Sequence, residues 1–360
     1  GCNEYLVITK PEAIRKVHED FLKAGCDAIE TDTFGSNRIV LAEYGLQDRV
    51  VELNEKAARL AKEIAQKYST SDHPRFVIGS VGPGTKLPSL GHIGFDELRD
   101  SYKEQFKGLI AGGVDAILIE TCQDLLQAKC AIVALEEYFK ELGHRLPVMV
   151  QVTFESTGTM LLGTEMSAVI ATLEMFPVDV IGMNCATGPA EMADHIRTLC
   201  ENSVKHISVL PNAGLPENIG GVAHYKLEPK EFADQIERFV KEFGVSIVGG
   251  CCGTAPEHLR AVVERVGKCV PKKRAPKHEP SAASLYSASS YAQKPAPLLV
   301  GEQTNANGSK KFKQLLERED YDGIVGVARE AVKEGAHLVD ICVAFVGRND
   351  TKDMNESVQR

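Results

Sequence analysis

The chain has 360 residues, a formal net charge of −9, 43% hydrophobic and 25% charged residues, and ten cysteines. That length accommodates one large barrel or two domains with a sizeable core. The acidic balance argues against non-specific binding to nucleic acid or to an anionic membrane, and no apolar run reads as a membrane span or a signal peptide.

Strand and helix patterns alternate along most of the chain. A helix is expected at Pro11–Ala24, then a strand at Ala28–Thr33 and a long helical region near Ser36–Lys67 with Val50, Ala57, Leu60, Ala61 and Ile64 along one face. Phe76–Val81 reads as a strand that ends in Gly82-Pro83-Gly84, which lacks the spacing of a dinucleotide loop. Asp96 is a candidate cap for a helix carrying Leu98, Tyr102, Phe106 and Leu109. Further strands are expected at Ala116–Glu120, Val148–Phe154, Val180–Asn184, Ile207–Pro211 and Ile247–Gly250. The helices between them are expected at Asp124–Lys140, Ser167–Phe176, from Pro189 onward and at Pro229–Phe243. Seven apolar strands, each followed by a helix, predict an α/β fold with a parallel sheet. We expect a (β/α)8 TIM barrel over residues 1–267 whose first strand precedes Gly1. Residues 268–297, rich in Pro, Ala, Ser and Lys, read as a linker, and residues 298–360 as the truncated start of a second α/β barrel.

Polar and sulfur side chains gather where these strands end, the face on which such barrels carry their active sites. Cys185 follows the Val180–Asn184 strand, and Cys251-Cys252 follow Gly249-Gly250. Three thiolates from two strand ends make a Zn²⁺ site with its fourth position open, the arrangement of a catalytic rather than a structural zinc. The bland alternative is small buried residues, since free Cys is often buried. The other cysteines share no ligand spacing and read as reduced thiols of a cytoplasmic protein. A three-thiolate zinc is electron-rich and suits a fourth sulfur, because a thiol that coordinates it is deprotonated. This predicts alkyl transfer to a thiol. Glu120 is a candidate for orienting a ligand's amino group, or else an ordinary strand-end ion pair. Asn184 can bond substrate or merely satisfy the backbone.

These residues resemble the homocysteine S-methyltransferase family. The likeness is carried by Asn184-Cys185, Gly249–Thr254, Glu30-Thr31-Asp32-Thr33-Phe34-Gly35 and Pro211-Asn212-Ala213-Gly214. It implies homocysteine on a zinc held by Cys185, Cys251 and Cys252, with Glu120, Asn184, Thr121 and Asp32 as candidate substrate contacts. Gly301–Ser309 is similar to the opening of a pterin-binding barrel, with Glu302, Asn305 and Asn307 as candidate pterin contacts. A pterin barrel after a homocysteine domain is the order of the cobalamin-dependent methionine synthase family. That order implies methylcobalamin as immediate donor and 5-methyltetrahydrofolate as ultimate donor. No Asp-x-His-x-x-Gly motif occurs here, so cobalamin would be bound by a domain of the full-length protein outside this chain. Asp32 and Gln303 stand where the resemblance leads one to expect Asn and Arg.

Three rival readings remain at this stage. One is a stand-alone homocysteine methyltransferase using betaine or S-methylmethionine, which would need no pterin domain. Another is a zinc- or thiol-binding module without turnover. The third, a disulfide oxidoreductase built on Cys251-Cys252, is disfavoured by the strain of bridging adjacent cysteines.

Overall fold

A computed structural model describes residues 1–360, which divide into two compact units. The larger contains Gly1–His278 with Leu285–Ser287, and the smaller contains Glu279–Ser284 with Ala288–Arg360.

The larger unit is built on a seven-stranded, wholly parallel sheet. Its strands are β1 (Ala28–Glu30), β2 (Phe76–Val81), β3 (Ala116–Cys122), β4 (Val148–Val152), β5 (Val180–Asn184), β6 (His206–Leu210) and β9 (Ile247–Val248), hydrogen-bonded in that order. A β7–β8 hairpin (Glu217–Ile219, Val222–His224) is inserted after β6. The helices are α1 (Leu6–Thr9), α2 (Pro11–Ala24), α3 (Arg38–Ala42), α4 (Val50–Tyr68), α5 (Phe95–Ala111), α6 (Leu125–Leu142), α7 (Met166–Leu173), α8 (Pro189–Asn202), α9 (Pro229–Arg238) and α10 (Pro256–Val266). Helix α10 packs on α2, where Val263 lies against Gly25, so the helices beside the two edge strands meet. The α/β, barrel-like architecture expected from the sequence is present.

Strand periodicity sorts side chains to two faces. Ile29, Val77, Ile117, Ile119, Val150, Ile181, Val209 and their neighbours face the helices and join one large apolar core. The opposite positions face inward. Register pairs Leu118 with Met149 and Met149 with Val180, and together with Ile78 and Ile247 they form an inner apolar layer. Two residues further along each strand the inward positions turn polar: Ser80, Glu120, Gln151 and Ser208. Gly182 lies in register between Gln151 and Ser208. With no side chain there, Gln151 Nε2 reaches across to Ser208 Oγ at 2.9 Å.

Several local expectations differ from the structure. The helical region Ser36–Lys67 is interrupted: Asn37 caps α3, Gly45 takes φ +68, and a 3-10 turn at Gln47–Arg49 precedes α4. Asp96 is not a cap, because α5 begins at Phe95 with Gly94 before it; Asp96 sits in the first turn, where its charge complements the helix dipole. Strand β1 stops at Glu30, so Asp32 lies in the loop beyond it. Nor is the 268–297 stretch bare coil. Arg274 donates to the carbonyls of Cys200 in the last turn of α8 and of Ser203 and Lys205 beyond it, and β10 (Ser281–Ala283) pairs with β11 (Ala288–Ser290). One guanidinium with several donors thus satisfies carbonyls that a helix end leaves free.

The smaller unit pairs β12 (Val300–Gly301) with β13 (Leu338–Val339) in parallel. It also carries α11 (Lys310–Glu317), α12 (Tyr321–Lys333) and α13 (Asp350–Val358). Phe312, Leu316, Tyr321, Ile324 and Val343 form its own core. Buried Asp353 is held by the Tyr321 hydroxyl at 2.7 Å and by both arms of Arg348. No helix in either unit is long and apolar enough to cross a membrane.

Gly182→Ala tests the inner packing. A Cβ there would lie 2.1 Å from Ser208 Oγ and 2.3 Å from the Ser208 carbonyl oxygen. Overpacking of this kind costs about 1–3 kcal/mol, measurable by urea unfolding. Adding Ser208→Ala will not restore stability, because the backbone clash persists.

Candidate metal and substrate site

The segment that ends β6 assembles the sulfur cluster. The Cys185 N–H donates to Leu210 O at 3.2 Å and the Cys251 N–H to Pro211 O at 2.8 Å. Asn212 Oδ1 accepts from the Cys252 N–H at 3.1 Å, and the Ala213 N–H donates to Cys252 O at 3.0 Å. Two chain segments 67 residues apart are thereby splinted to one strand end. Cys185 Sγ lies 3.8 Å from Cys252 Sγ, which lies 3.9 Å from Cys251 Sγ, and all three sulfurs fall within 4.8 Å of one another. A tetrahedral Zn²⁺ with Zn–S bonds of about 2.3 Å has S···S edges of about 3.8 Å. The donor set and its spacing therefore fit zinc, with Cys252 still exposed on the open side.

Without a cation, three sulfurs this close cannot all carry charge. Hydrogen bonds to Cys185 and Cys252 push the Cys251 thiol far above its ordinary range, with burial adding to the effect. Cys252 is pulled well below it by hydrogen bonds from Cys185 and Cys251.

Beside the sulfurs lies a carboxylate–amide pair. Glu120 accepts from the Ser80 hydroxyl at 2.5 Å and from Asn184 Nδ2 at 3.1 Å. Asn184 also donates to Thr121 Oγ1 at 2.8 Å, and its Nδ2 lies 4.0 Å from Cys251 Sγ. The β3–β4 register shifts between Ile119 and Cys122, a bulge that takes Thr121 out of the ladder and leaves its N–H to donate to Asn184 Oδ1 at 2.8 Å. Thr121, Cys185 and Ala186 have φ of 56°, 62° and 58°. A β-branched residue at positive φ is a true outlier, and such strain, about 1–3 kcal/mol each, clusters at functional sites.

Burial raises the Glu120 carboxyl above its ordinary range, while the Ser80 hydrogen bond pulls it back. Glu30 rises further, first from desolvation inside the barrel wall and then from the Glu120 charge.

The structure thus brings Cys185, Cys251, Cys252, Glu120, Asn184 and Thr121 together. Asp32 takes part in none of these hydrogen bonds; burial, with the Glu4 charge adding to it, raises its pKa to about 6. In the smaller unit Asn305 Nδ2 donates to Asp340 at 3.0 Å, and Asn305 Oδ1 accepts from the Asn307 N–H at 2.9 Å. Glu302 is exposed. The sequence reading missed Ser80 and Asp340, which join Glu120 and Asn305 only through tertiary contact. The one signal for Ser80 was its inward alternation on β2.

Glu30→Gln tests the carboxyl pair. Below pH of about 4 Glu30 is protonated both folded and unfolded. Above it the unfolded chain loses the proton while the folded chain keeps it, so this contribution to stability falls as pH rises. The neutral variant should therefore gain stability relative to wild type as pH rises above about 4 in urea unfolding. A gap independent of pH would contradict the raised Glu30 pKa.

Comparison with known proteins gives the family. Residues 1–266 match homocysteine S-methyltransferase, and residues 301–360 match pterin binding enzyme. The chain is 47% identical over 359 residues to a methionine synthase of Mycobacterium leprae, covering 98% of this chain and 30% of that protein. It is 45% identical over 360 residues to one of Mycobacterium tuberculosis, again covering 30% of it. The chain therefore spans less than a third of the length of these relatives. Among solved structures, the metallated form of the homocysteine methyltransferase MmuM from Escherichia coli aligns with a TM-score of 0.60 at 23% identity, over 72% of this chain and 86% of that one. The apo form aligns with a TM-score of 0.57 at 23% identity, over 74% and 90%. With most of its length matched, the chain belongs to the homocysteine S-methyltransferase family.

Proposed function

We propose that the chain methylates the sulfur of homocysteine to give methionine, as the homocysteine-binding part of a cobalamin-dependent methionine synthase. The observation that carries this reading is a three-sulfur cluster at zinc spacing, open on one side and adjoined by Glu120 and Asn184. Cys185, Cys251 and Cys252 would hold Zn²⁺, which when bound lowers the pKa of a further thiol and so supplies a thiolate near neutral pH. The Glu120 carboxylate, backed by Ser80 and Asn184, would take the substrate's ammonium group. Asn184 links that end to Cys251 and fixes the distance between amine and sulfur. The thiol proton would be released as the homocysteine sulfur gains a bond to methyl, and cobalamin held outside this chain would supply the methyl group and keep the electron pair of the bond that breaks.

Residues 298–360 would begin the pterin-binding barrel for 5-methyltetrahydrofolate, after a connecting stretch at 268–297. The match of residues 301–360 to pterin-binding enzymes supports this over a stand-alone enzyme using betaine or S-methylmethionine. Glu302, Asn305 and Asn307 would contact the pterin, and a domain outside this chain would carry the cobalamin. The cysteine pattern is the basis for a cytoplasmic location.

Two measurements on the intact protein test the reading. Homocysteine binding to the zinc-loaded protein should release about one proton near neutral pH, seen in buffer-dependent calorimetry; a binding module that does not activate the thiol would release none. Glu302→Gln or Asn305→Ala should slow methyl transfer from methyltetrahydrofolate roughly ten- to a hundredfold, the worth of a lost charge-assisted or amide hydrogen bond. Homocysteine methylation from added methylcobalamin should persist in these variants. Equal loss in both half-reactions would contradict the pterin assignment.

A further inference from the structure

Thr121 stands in a conformation that its own side chain opposes. It follows Glu120 on β3, the register to β4 breaks between Ile119 and Cys122, and its φ is 56°. A β-branched residue in the left-handed region persists only where its surroundings demand it, and such outliers collect at functional sites. The demand is visible here. The Thr121 N–H donates to Asn184 Oδ1 at 2.8 Å, and the Thr121 hydroxyl oxygen accepts from Asn184 Nδ2, also at 2.8 Å. One residue thereby holds both ends of one amide and fixes which end is which. Glycine would take this φ without strain but would bring no hydroxyl.

Asn184 is fully buried, and its Nδ2 carries two protons. One goes to Thr121 Oγ1 and the other to Glu120 Oε2 at 3.1 Å. With both protons engaged, the 4.0 Å approach of Nδ2 to Cys251 Sγ is a packing contact that these two bonds set. Ser80 holds the other Glu120 oxygen at 2.5 Å. The carboxylate is thus pinned on both oxygens, and one of its pins stands against Cys251 and is followed in the chain by Cys185. The main chain of Asn184 is no freer: its carbonyl accepts from the Thr153 hydroxyl at 2.9 Å, and it pairs with Leu210 of β6.

We infer that Thr121 is a positioning residue that sets substrate length. By locking the Asn184 amide it holds Glu120 at a fixed span from the sulfur cluster, and so selects a thiol amino acid with two methylenes between sulfur and α-carbon over one with a single methylene. The inference rests on the reading proposed above, in which Glu120 takes the ammonium group and the cysteines hold the metal. A substrate tied at both ends must match the span between them. A chain one methylene short leaves one end unmet, and a missing methylene is typically worth about ten- to two-hundredfold in discrimination. That penalty lasts only while the far end stays in place, which is the work of the groups that lock it. A carboxylate released on one oxygen can turn toward the cluster and meet the ammonium of the shorter chain.

The test measures the affinities of homocysteine and cysteine by calorimetry for the intact, zinc-loaded protein, with zinc content checked after each titration. Wild type should prefer homocysteine about ten- to two-hundredfold. Thr121→Val removes the hydroxyl at nearly constant shape. Thr121→Gly removes it while tolerating the positive φ, so one variant remains readable if the other fails to fold. In each the preference should fall about tenfold at unchanged zinc content, and Thr121→Ser, which keeps the hydroxyl, should retain the wild-type preference. A loss shared equally by the two ligands in Thr121→Val or Thr121→Gly, leaving the preference unchanged, would make Thr121 a structural residue and overturn the inference alone. The reading beneath it is checked with 4-mercaptobutyrate, which is homocysteine without its amino group. Wild type binding this thiol as tightly as homocysteine would remove Glu120 as the ammonium site and overturn both.

Discussion

Three sulfur atoms within 4.8 Å of one another are a repulsive arrangement unless a cation or protons sit among them, and the rest of this site exists to enforce that closeness. The device is the end of β6. Leu210 to Ala213 accept from or donate to the backbone of all three cysteines, so a strand that supplies no sulfur fixes the geometry of two segments that do. Positive φ at Cys185 and Ala186 is the cost of turning the first sulfur toward the other two. Parallel pairing of β5, β6 and β9 supplies the framework that holds the strain.

The same logic extends to the carboxylate beside the sulfurs. A barrel interior that is apolar at Leu118, Met149 and Val180 becomes polar one inward position later, where Glu120 is desolvated yet satisfied by Ser80 and Asn184. A desolvated carboxylate interacts more strongly with a cation than an exposed one. Asn184 bonds to Glu120 and lies 4.0 Å from Cys251 Sγ, so the carboxylate end and the sulfur end share one side chain. The bulge at Thr121 makes this possible by freeing an N–H for Asn184.

Strands of buried aliphatic residues ending in a polar or sulfur residue are legible in sequence because both signals are local, and the three cysteines, Glu120 and Asn184 were found that way. Features set by tertiary partners were not. The hairpin at residues 217–224 is exposed throughout and has no apolar alternation to betray it. Tyr225 packs against Gly253, the residue after Cys252, from a segment that Ala213 and His258 hold through Leu227. Strand β1 ends three residues earlier than its apolar-then-polar pattern suggests, since the Thr31 and Thr33 hydroxyls bond to each other and to β2; Asp32 is left in the loop. The 268–297 stretch has no periodicity, yet Arg274 binds part of it through carbonyls that no sequence pattern marks.

The central claim is that Cys185, Cys251 and Cys252 form a zinc site whose fourth position is taken by the substrate sulfur. Zinc-edge X-ray absorption on the intact protein tests it most directly. The account predicts three protein sulfurs at about 2.3 Å with one lighter ligand, the latter replaced by a fourth sulfur on adding homocysteine, and loss of the metal in Cys185→Ala. A first shell unchanged by homocysteine, or full zinc occupancy in Cys185→Ala, would contradict it.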